Sequence, residues 1–206
     1  MKLFIDSEKK QVIQAIKEAE NVTSCEFVVA EVTTCDDYNT SRFAWGILFL
    51  FIAYIVSYYF TPLDGIWLIV SQFVGFTIGF FVVGDIPILK RLFIPTIKME
   101  SEAQRRALYE FSHQGLHNTR LRNGILVMLA VFERRVVILA DSAVNAKAKP
   151  EYWANIRDRI IVGIKNNAAG SSVAEVIKSM TQDFKADFPY SPDDKNELPD
   201  GIVTDK

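Results

Sequence analysis

Two histidines, His113 and His117, stand four residues apart in His-Gln-Gly-Leu-His, the spacing at which two imidazoles on one helix face can share a metal ion. A zinc hydrolase of that type also needs a glutamate beside the first histidine to take a proton from water, and Gln114 cannot do so. Spacing implies no third ligand, and Gly115 would loosen the helix, so the pair reads as surface or capping histidines. Carboxylates that could hold a hard cation such as calcium fall into two groups: Asp36 and Asp37 with Glu133, and Asp141 with Ser24 and Glu26. Strand-end Asp and Ser are also common turn formers, so each group matters only if the fold makes it converge. Cys25 and Cys35 have no Cys-x-x-Cys spacing and read as free thiols. Motifs that pair a nucleophile with its base are missing. There is no Gly-x-Ser-x-Gly elbow, no phosphatase-type Cys-Arg loop, no Asp-x-Asp pair and no glycine-rich phosphate loop.

The elements that must position these groups can be read from periodicity. Asp6 or Ser7 can cap a first helix, Glu8 suits its positive end, and Val12, Ile13, Ile16 and Ala19 recur at helical spacing. Residues 25–33 form a β-branched strand run. Residues 100–118 read as a helix with Ala103, Ala107, Leu108 and Phe111 on its apolar face. Residues 125–132 are continuously apolar, which suits a central strand covered on both faces. Glu133, Arg134 and Arg135 then make a polar tip, and Val136–Ala140 return as the hairpin partner. Helices follow over 150–166 and 171–186, separated by Gly170 and Ser171 as stop and cap, and the Pro-rich acidic tail 187–206 is expected to lack regular structure. A right-handed crossover would set strands one and two parallel, with strand three antiparallel to two. That topology places Asp141 at the sheet end where Ser24 and Glu26 enter, and Glu133 at the opposite end with Asp36 and Asp37.

Between the first strand and the second helix lies a different kind of sequence. Residues 43–84 hold none of the 23 Lys and Arg, one charged residue (Asp64) and 8 of the 15 Phe. The apolar runs 43–60 and 66–83 would each extend roughly 27 Å as helices, close to the bilayer's hydrocarbon thickness. Pro62 and Gly65 supply a reversal, and Trp45, Trp67, Tyr58 and Tyr59 fall near the run ends, where amphipathic rings favour the interface. Gly75 and Gly79 permit close helix approach, either within the hairpin or in a dimer. The insert is thus expected to be a transmembrane hairpin that splits a soluble domain made of 1–42 plus 85–186. Arg42, Lys90, Arg91 and Lys98 flank it while the connecting loop has no cation, so both flanks and both termini are expected in the cytoplasm, with the hairpin in the inner membrane. The N-terminal MKLFIDSEKKQV has no apolar signal region, and the Asn21 sequon would go unused in that compartment. Arg134 and Arg135 at the sheet tip could meet anionic headgroups. A net charge of -2 gives no excess positive field for nucleic acid.

Several local strings, in order, resemble the TPM domain family, in its bacterial subclass with a transmembrane hairpin inside the domain. They are the helix-to-strand passage around Ile13 to Glu26 (AIKEAENVTSCEFVV), Gly115–Arg120 (GLHNTR), Asn123-Gly124 before an apolar strand, Glu133–Asp141 (ERRVVILAD) and Asp193–Asp200 (DDKNELPD). The resemblance covers nearly the whole chain, and Cys25 stands where the family usually has glycine. It implies an α/β sandwich, a central mixed sheet flanked by helices. It also implies Glu26 and Asp141 as the strand-entry Glu and strand-end Asp of the family, with calcium or magnesium as the candidate cation. Members of the family are described as phosphatases, as divalent-cation binders, or as accessory factors of larger membrane complexes.

Two functional expectations follow. The first is a membrane-tethered interaction module that assists assembly or upkeep of a membrane protein partner. The second is a metal-assisted phosphomonoesterase, in which carboxylate-held cations polarise phosphate and activate water.

Overall fold

Two seven-residue stretches, β1 (Glu26–Val32) and β2 (Gly124–Ala130), are buried along their whole length, as befits strands covered on both faces. They pair in parallel from Glu26↔Gly124 to Val32↔Ala130, and β3 (Arg135–Ala140) returns antiparallel to β2. The computed structural model describes residues 3–60, 65–190 and 201–204. Within them the element order is α1 (Asp6–Glu20), β1, α2 (Asn39–Phe60), α3 (Gly65–Ile78), α4 (Pro87–Lys90), α5 (Thr96–His113), β2, β3, α6 (Ser142–Asn145), α7 (Pro150–Lys165), α8 (Ala169–Phe184) and β4 (Ile202–Thr204). The chain divides into two compact units, Met1–Cys35 with Glu100–Lys206, and Asp36–Met99.

The first unit is a mixed four-stranded sheet, order β3-β2-β1-β4, flanked by helices. Alternation along the strands sends Phe27, Val29, Ile125, Val127 and Leu129 to one face, where they pack with α1, α7 and α8 through Val12, Ile16, Ile156, Ile160, Val173 and Ile177. Val28, Ala30, Leu126 and Met128 face the other way, onto Ala103 and Ala107 of α5 and Leu116.

Several sequence expectations need correction. The N-cap of α1 is Ile5, not Asp6 or Ser7; the Glu8 carboxylate reaches back to accept the Ile5 N–H at 3.0 Å, which satisfies an amide at the helix start without a capping hydroxyl. The helix expected over 100–118 starts at Thr96 and ends at His113, because Gly115 adopts φ +78° and a 3-10 turn follows over Leu116–Asn118. Leu108, expected on the buried face of that helix, is exposed. Gly170 and Ser171 lie inside α8; the break from α7 falls at Asn166–Ala168, where Asn167 takes the left-handed φ of 56° that asparagine tolerates. The tail is not wholly irregular. Pro189 bridges to Thr23, and Ile202–Thr204 adds to β1 in parallel as β4. Pro62 and Asp193–Asp200 lie outside the described residues.

The second unit centres on α2 and α3, which pack antiparallel through small residues. A Cβ on Gly75 would come 2.7 Å from the Phe49 carbonyl oxygen, and one on Gly46 would meet the Phe76 ring at 2.7 Å. The Ser57 hydroxyl donates to Ser71 Oγ at 2.9 Å, and α3 closes in a π-helical turn over Gly79–Val83. Gly75 and Gly79 thus serve the contact between these two helices.

Gly170 is glycine because α1 crosses α8 there: a Cβ would meet Glu8 Cβ at 2.3 Å, and the Gly170 N–H donates to Glu8 Oε1 at 3.1 Å. Gly170→Ala should lower stability by about 1–3 kcal/mol, typical of overpacking. Gly201→Ala, where no atom of the described residues lies within 4 Å of the added carbon, should change it little. Urea unfolding of both variants checks the contrast.

Candidate functional site

The strand-entry end of the sheet gathers the residues singled out for ligand chemistry. Glu26 is in register with Gly124, and the Asp141 N–H donates to the Gly124 carbonyl at 2.9 Å. Residues in register share a face, so Glu26, Gly124 and Asp141 form one row on the α5 side of the sheet. The row has a gap in its middle, and Leu116 fills it: a Cβ on Gly124 would lie 2.7 Å from Leu116 Cδ2 and 2.8 Å from its carbonyl oxygen. The two acidic residues therefore stand two strand spacings apart, about 9–10 Å between Cα atoms.

Each has its own surroundings. Asp141 is buried and caps α6, its Oδ1 accepting the Ser142 N–H at 2.6 Å, while Arg122 Nε lies 3.2 Å from Oδ2. The approach of Arg122 is off-line for a hydrogen bond, so the contact is mainly an ion pair. Ser24 is tied to Asn123, whose buried side-chain amide donates to the Ser24 carbonyl and points at its hydroxyl at 3.5 Å. Asn123 is itself oriented by its N–H, which donates to Thr119 Oγ1 at 3.2 Å. The topology thus brings Ser24, Glu26 and Asp141 to one sheet end, where the Asn123 amide holds Ser24 and the Arg122 guanidinium faces Asp141. Among the described residues no three His, Cys, Asp or Glu side chains are grouped to hold a metal ion.

The other acidic group is Glu133 with Asp36 and Asp37. Glu133 is buried and accepts the Cys35 N–H at 2.9 Å and the Thr34 hydroxyl at 3.5 Å, which fixes the chain leaving β1 against the β2–β3 turn. Asp36 lies 3.7 Å from Lys98 and accepts the Asp37 N–H at 2.8 Å. The histidines do not form a helical i, i+4 pair. His113 stacks on Tyr109 with centroids 5.4 Å apart, and the turn at Gly115 carries His117 off the helix, where its carbonyl accepts from Arg122. Cys25 is buried and Cys35 half-buried, and neither is in a disulfide.

Of the cations expected at a membrane surface, Arg42 binds Asp85, with Nη2 at 2.5 Å and Nε at 2.7 Å, and also reaches Asn39 at 3.2 Å. Lys90 stands 6.0 Å from the Tyr38 ring centroid; burial, and then the neighbouring Arg42 charge, hold its ammonium below the usual lysine range. Arg91 opens a 3-10 turn over Arg91–Phe93. Arg134 sits at φ +54° in the β2–β3 turn, and Arg135 lies 3.8 Å from Glu100.

Sequence reasoning missed Arg122 and the role of Glu31. Glu31 is buried on β1, accepts the Leu3 N–H and lies 3.9 Å from Lys9. A glutamate inside an otherwise apolar strand was the available signal for it.

No family model matches the chain, and no curated protein matches it. Among solved structures it is similar to the NMR structure of the BA42 protein from the psychrophilic bacterium Bizionia argentinensis. The identity is 20% and the TM-score 0.60, with 98% of this chain and 95% of that one covered. At that identity the likeness establishes the fold class, an α/β protein with a mixed sheet flanked by helices.

Removing the Asn123 amide strands the buried Ser24 carbonyl, so Asn123→Ala should cost about 1–3 kcal/mol. Arg122 is more than half exposed, so Arg122→Met should cost less, within about 1 kcal/mol. Thermal unfolding of the two variants gives the order; the reverse order would mean that the Arg122–Asp141 pair, not the amide, organises this end.

Proposed function

We propose that α2 and α3 span a lipid bilayer and that the sheet unit is a TPM-type domain on the cytoplasmic side of the inner membrane, acting as an interaction or accessory module for another membrane protein. One observation carries the reading. The helices over 39–60 and 65–83 have mean hydropathies of 1.9 and 2.1, yet only 11% of each apolar window is buried. A core helix of a water-soluble protein hides such a surface; these two use theirs sparingly on each other and leave Phe51, Trp67 and Phe73 outward. Arg42 and Asp85, paired next to the two ends of the hairpin, keep their charges outside the apolar runs.

The interaction role draws support from the free edge of the sheet. Among the described residues β3 has no neighbouring strand on its outer side, and it lacks proline and, except for Arg135, charge, the devices that usually protect an edge. A groove of about 630 Å³ runs beside it between α5 and α7, with Trp153 and Leu108 in its walls.

In cells expressing the full chain, alkaline carbonate washing should leave the protein in the membrane pellet. Val70→Asp, which places a carboxylate within the second run at a cost of about 2.5–3.5 kcal/mol, should release part of it. Recovery of the wild-type chain in the supernatant would contradict the reading. The same preparation, given a chromogenic phosphate with calcium or magnesium, tests the hydrolase alternative: substantial turnover abolished by Asp141→Ala would replace the accessory role with phosphomonoester hydrolysis.

A further inference from the structure

A second cavity lies on the opposite face of the sheet, at the end where β2 turns into β3. Its volume is about 410 Å³, within the range of roughly 300–1,000 Å³ typical of small-molecule sites. The walls are apolar: Leu129 and Val136, paired in register, with Ile161 and Ile164 of α7 and Leu3 from the N-terminal segment. Among the described residues the polar groups in its lining are all cations, Arg134, Arg135 and Lys165, and none is acidic. Glu31, near Leu3, is turned to the Leu3 amide and to Lys9 and takes no part in the wall.

Two of the three cations have no acidic partner among the described residues. Arg135 lies 3.8 Å from Glu100, but Arg134 and Lys165 have no ion pair there. Lys165, exposed in the last turn of α7, stands where the helix carbonyls favour a positive charge. Arg134 takes a left-handed backbone conformation, φ +54°, at a turn position that glycine would fill without strain. An arginine in a strained backbone conformation and an exposed lysine, neither with an ion pair among the described residues, line an apolar cavity and make a local positive field beside it. Among the described residues no aromatic ring lines the cavity for stacking a base, so an alkyl chain is the matching body and a carboxylate or phosphate the matching head.

We infer that this cavity binds a single-chain anionic amphiphile, its acyl chain among Leu129, Ile161 and Ile164 and its anionic head on Arg134 and Lys165. The site is formed entirely within the sheet unit and stands independently of where the hairpin resides.

Native membranes containing the full chain can be irradiated with either of two photoactivatable probes, a diazirine fatty acid or a diazirine lysophosphatidylglycerol, and the adducts mapped by mass spectrometry. Both should label the segments carrying Leu129, Ile161 and Ile164. Labelling by the fatty acid alone assigns the ligand to the free acid pool, and labelling by the lysolipid alone to the bilayer; each supports the site. Two variants test it further. Arg134→Gly with Lys165→Gln removes both cations while relieving the backbone, and Val131→Trp fills the cavity. Each should cut labelling at least about tenfold, a decade in affinity, without lowering the unfolding midpoint. Unlabelled cavity segments, or labelling unchanged in both variants, would overturn the inference. Adducts confined to 43–83 would do so while leaving the membrane proposal intact, whereas cavity labelling of a chain found in the soluble fraction would have the opposite effect.

Discussion

The parallel ladder between β1 and β2 is the constraint on which the rest depends. Its partners are Glu26 and Gly124 at one end and Val32 and Ala130 at the other, so the strands that form the centre of the sheet come from either side of the whole second unit. Neither strand is viable alone, since each is buried on both faces and needs helices above and below. Closing so long a loop adds little, because the entropic cost grows only with the logarithm of its length. A sixty-odd-residue unit can therefore interrupt the domain without abolishing it, provided the exit and re-entry points are secured. Buried Glu133 does part of that work by accepting the Cys35 amide just where the chain leaves β1.

Under the proposed membrane reading, the inserted unit obeys a different physics. Within a lipid phase there is no hydrophobic drive between helices, and close packing of small residues takes its place. Gly46, Gly75 and Gly79 let α2 and α3 approach to backbone contact, and the bulky residues are sent outward. The sheet unit inverts this arrangement, with Phe27, Ile125 and Ile160 inward and charged residues on the helix exteriors. One chain thus carries two opposite solutions to the question of where apolar surface should go.

Much of the architecture was legible in the sequence because it rests on period and composition. The strands at 26–32, 124–130 and 135–140, the helices α7 and α8 and the apolar pair all announced themselves through spacing. What stayed hidden depends on contacts remote in sequence. Gly170 looked like a helix stop, yet it lies within α8 because Glu8 crosses there. The histidine pair looked helical, but one left-handed glycine, Gly115, separates the two side chains. The tail's short run Ile202–Thr204 is too brief to signal a strand until the open edge of β1 is there to receive it. At the candidate site the topology was foreseen, bringing Glu26 and Asp141 to one sheet end, whereas Leu116 between them and Arg122 beside Asp141 were not, since neither follows from spacing.

The central claim is that a lipid-embedded hairpin interrupts a single folded sheet. Site-directed spin labels at Phe51, Ile55, Phe73 and Ala53, each introduced as cysteine into a Cys25→Ala, Cys35→Ser chain in lipid nanodiscs, test it through relaxation by oxygen and by a water-soluble nickel chelate. The account predicts strong oxygen relaxation and little nickel relaxation at positions 51, 55 and 73, with both weak at position 53, which packs against Gly75. Strong nickel relaxation at the first three positions would place those helices in water and contradict it.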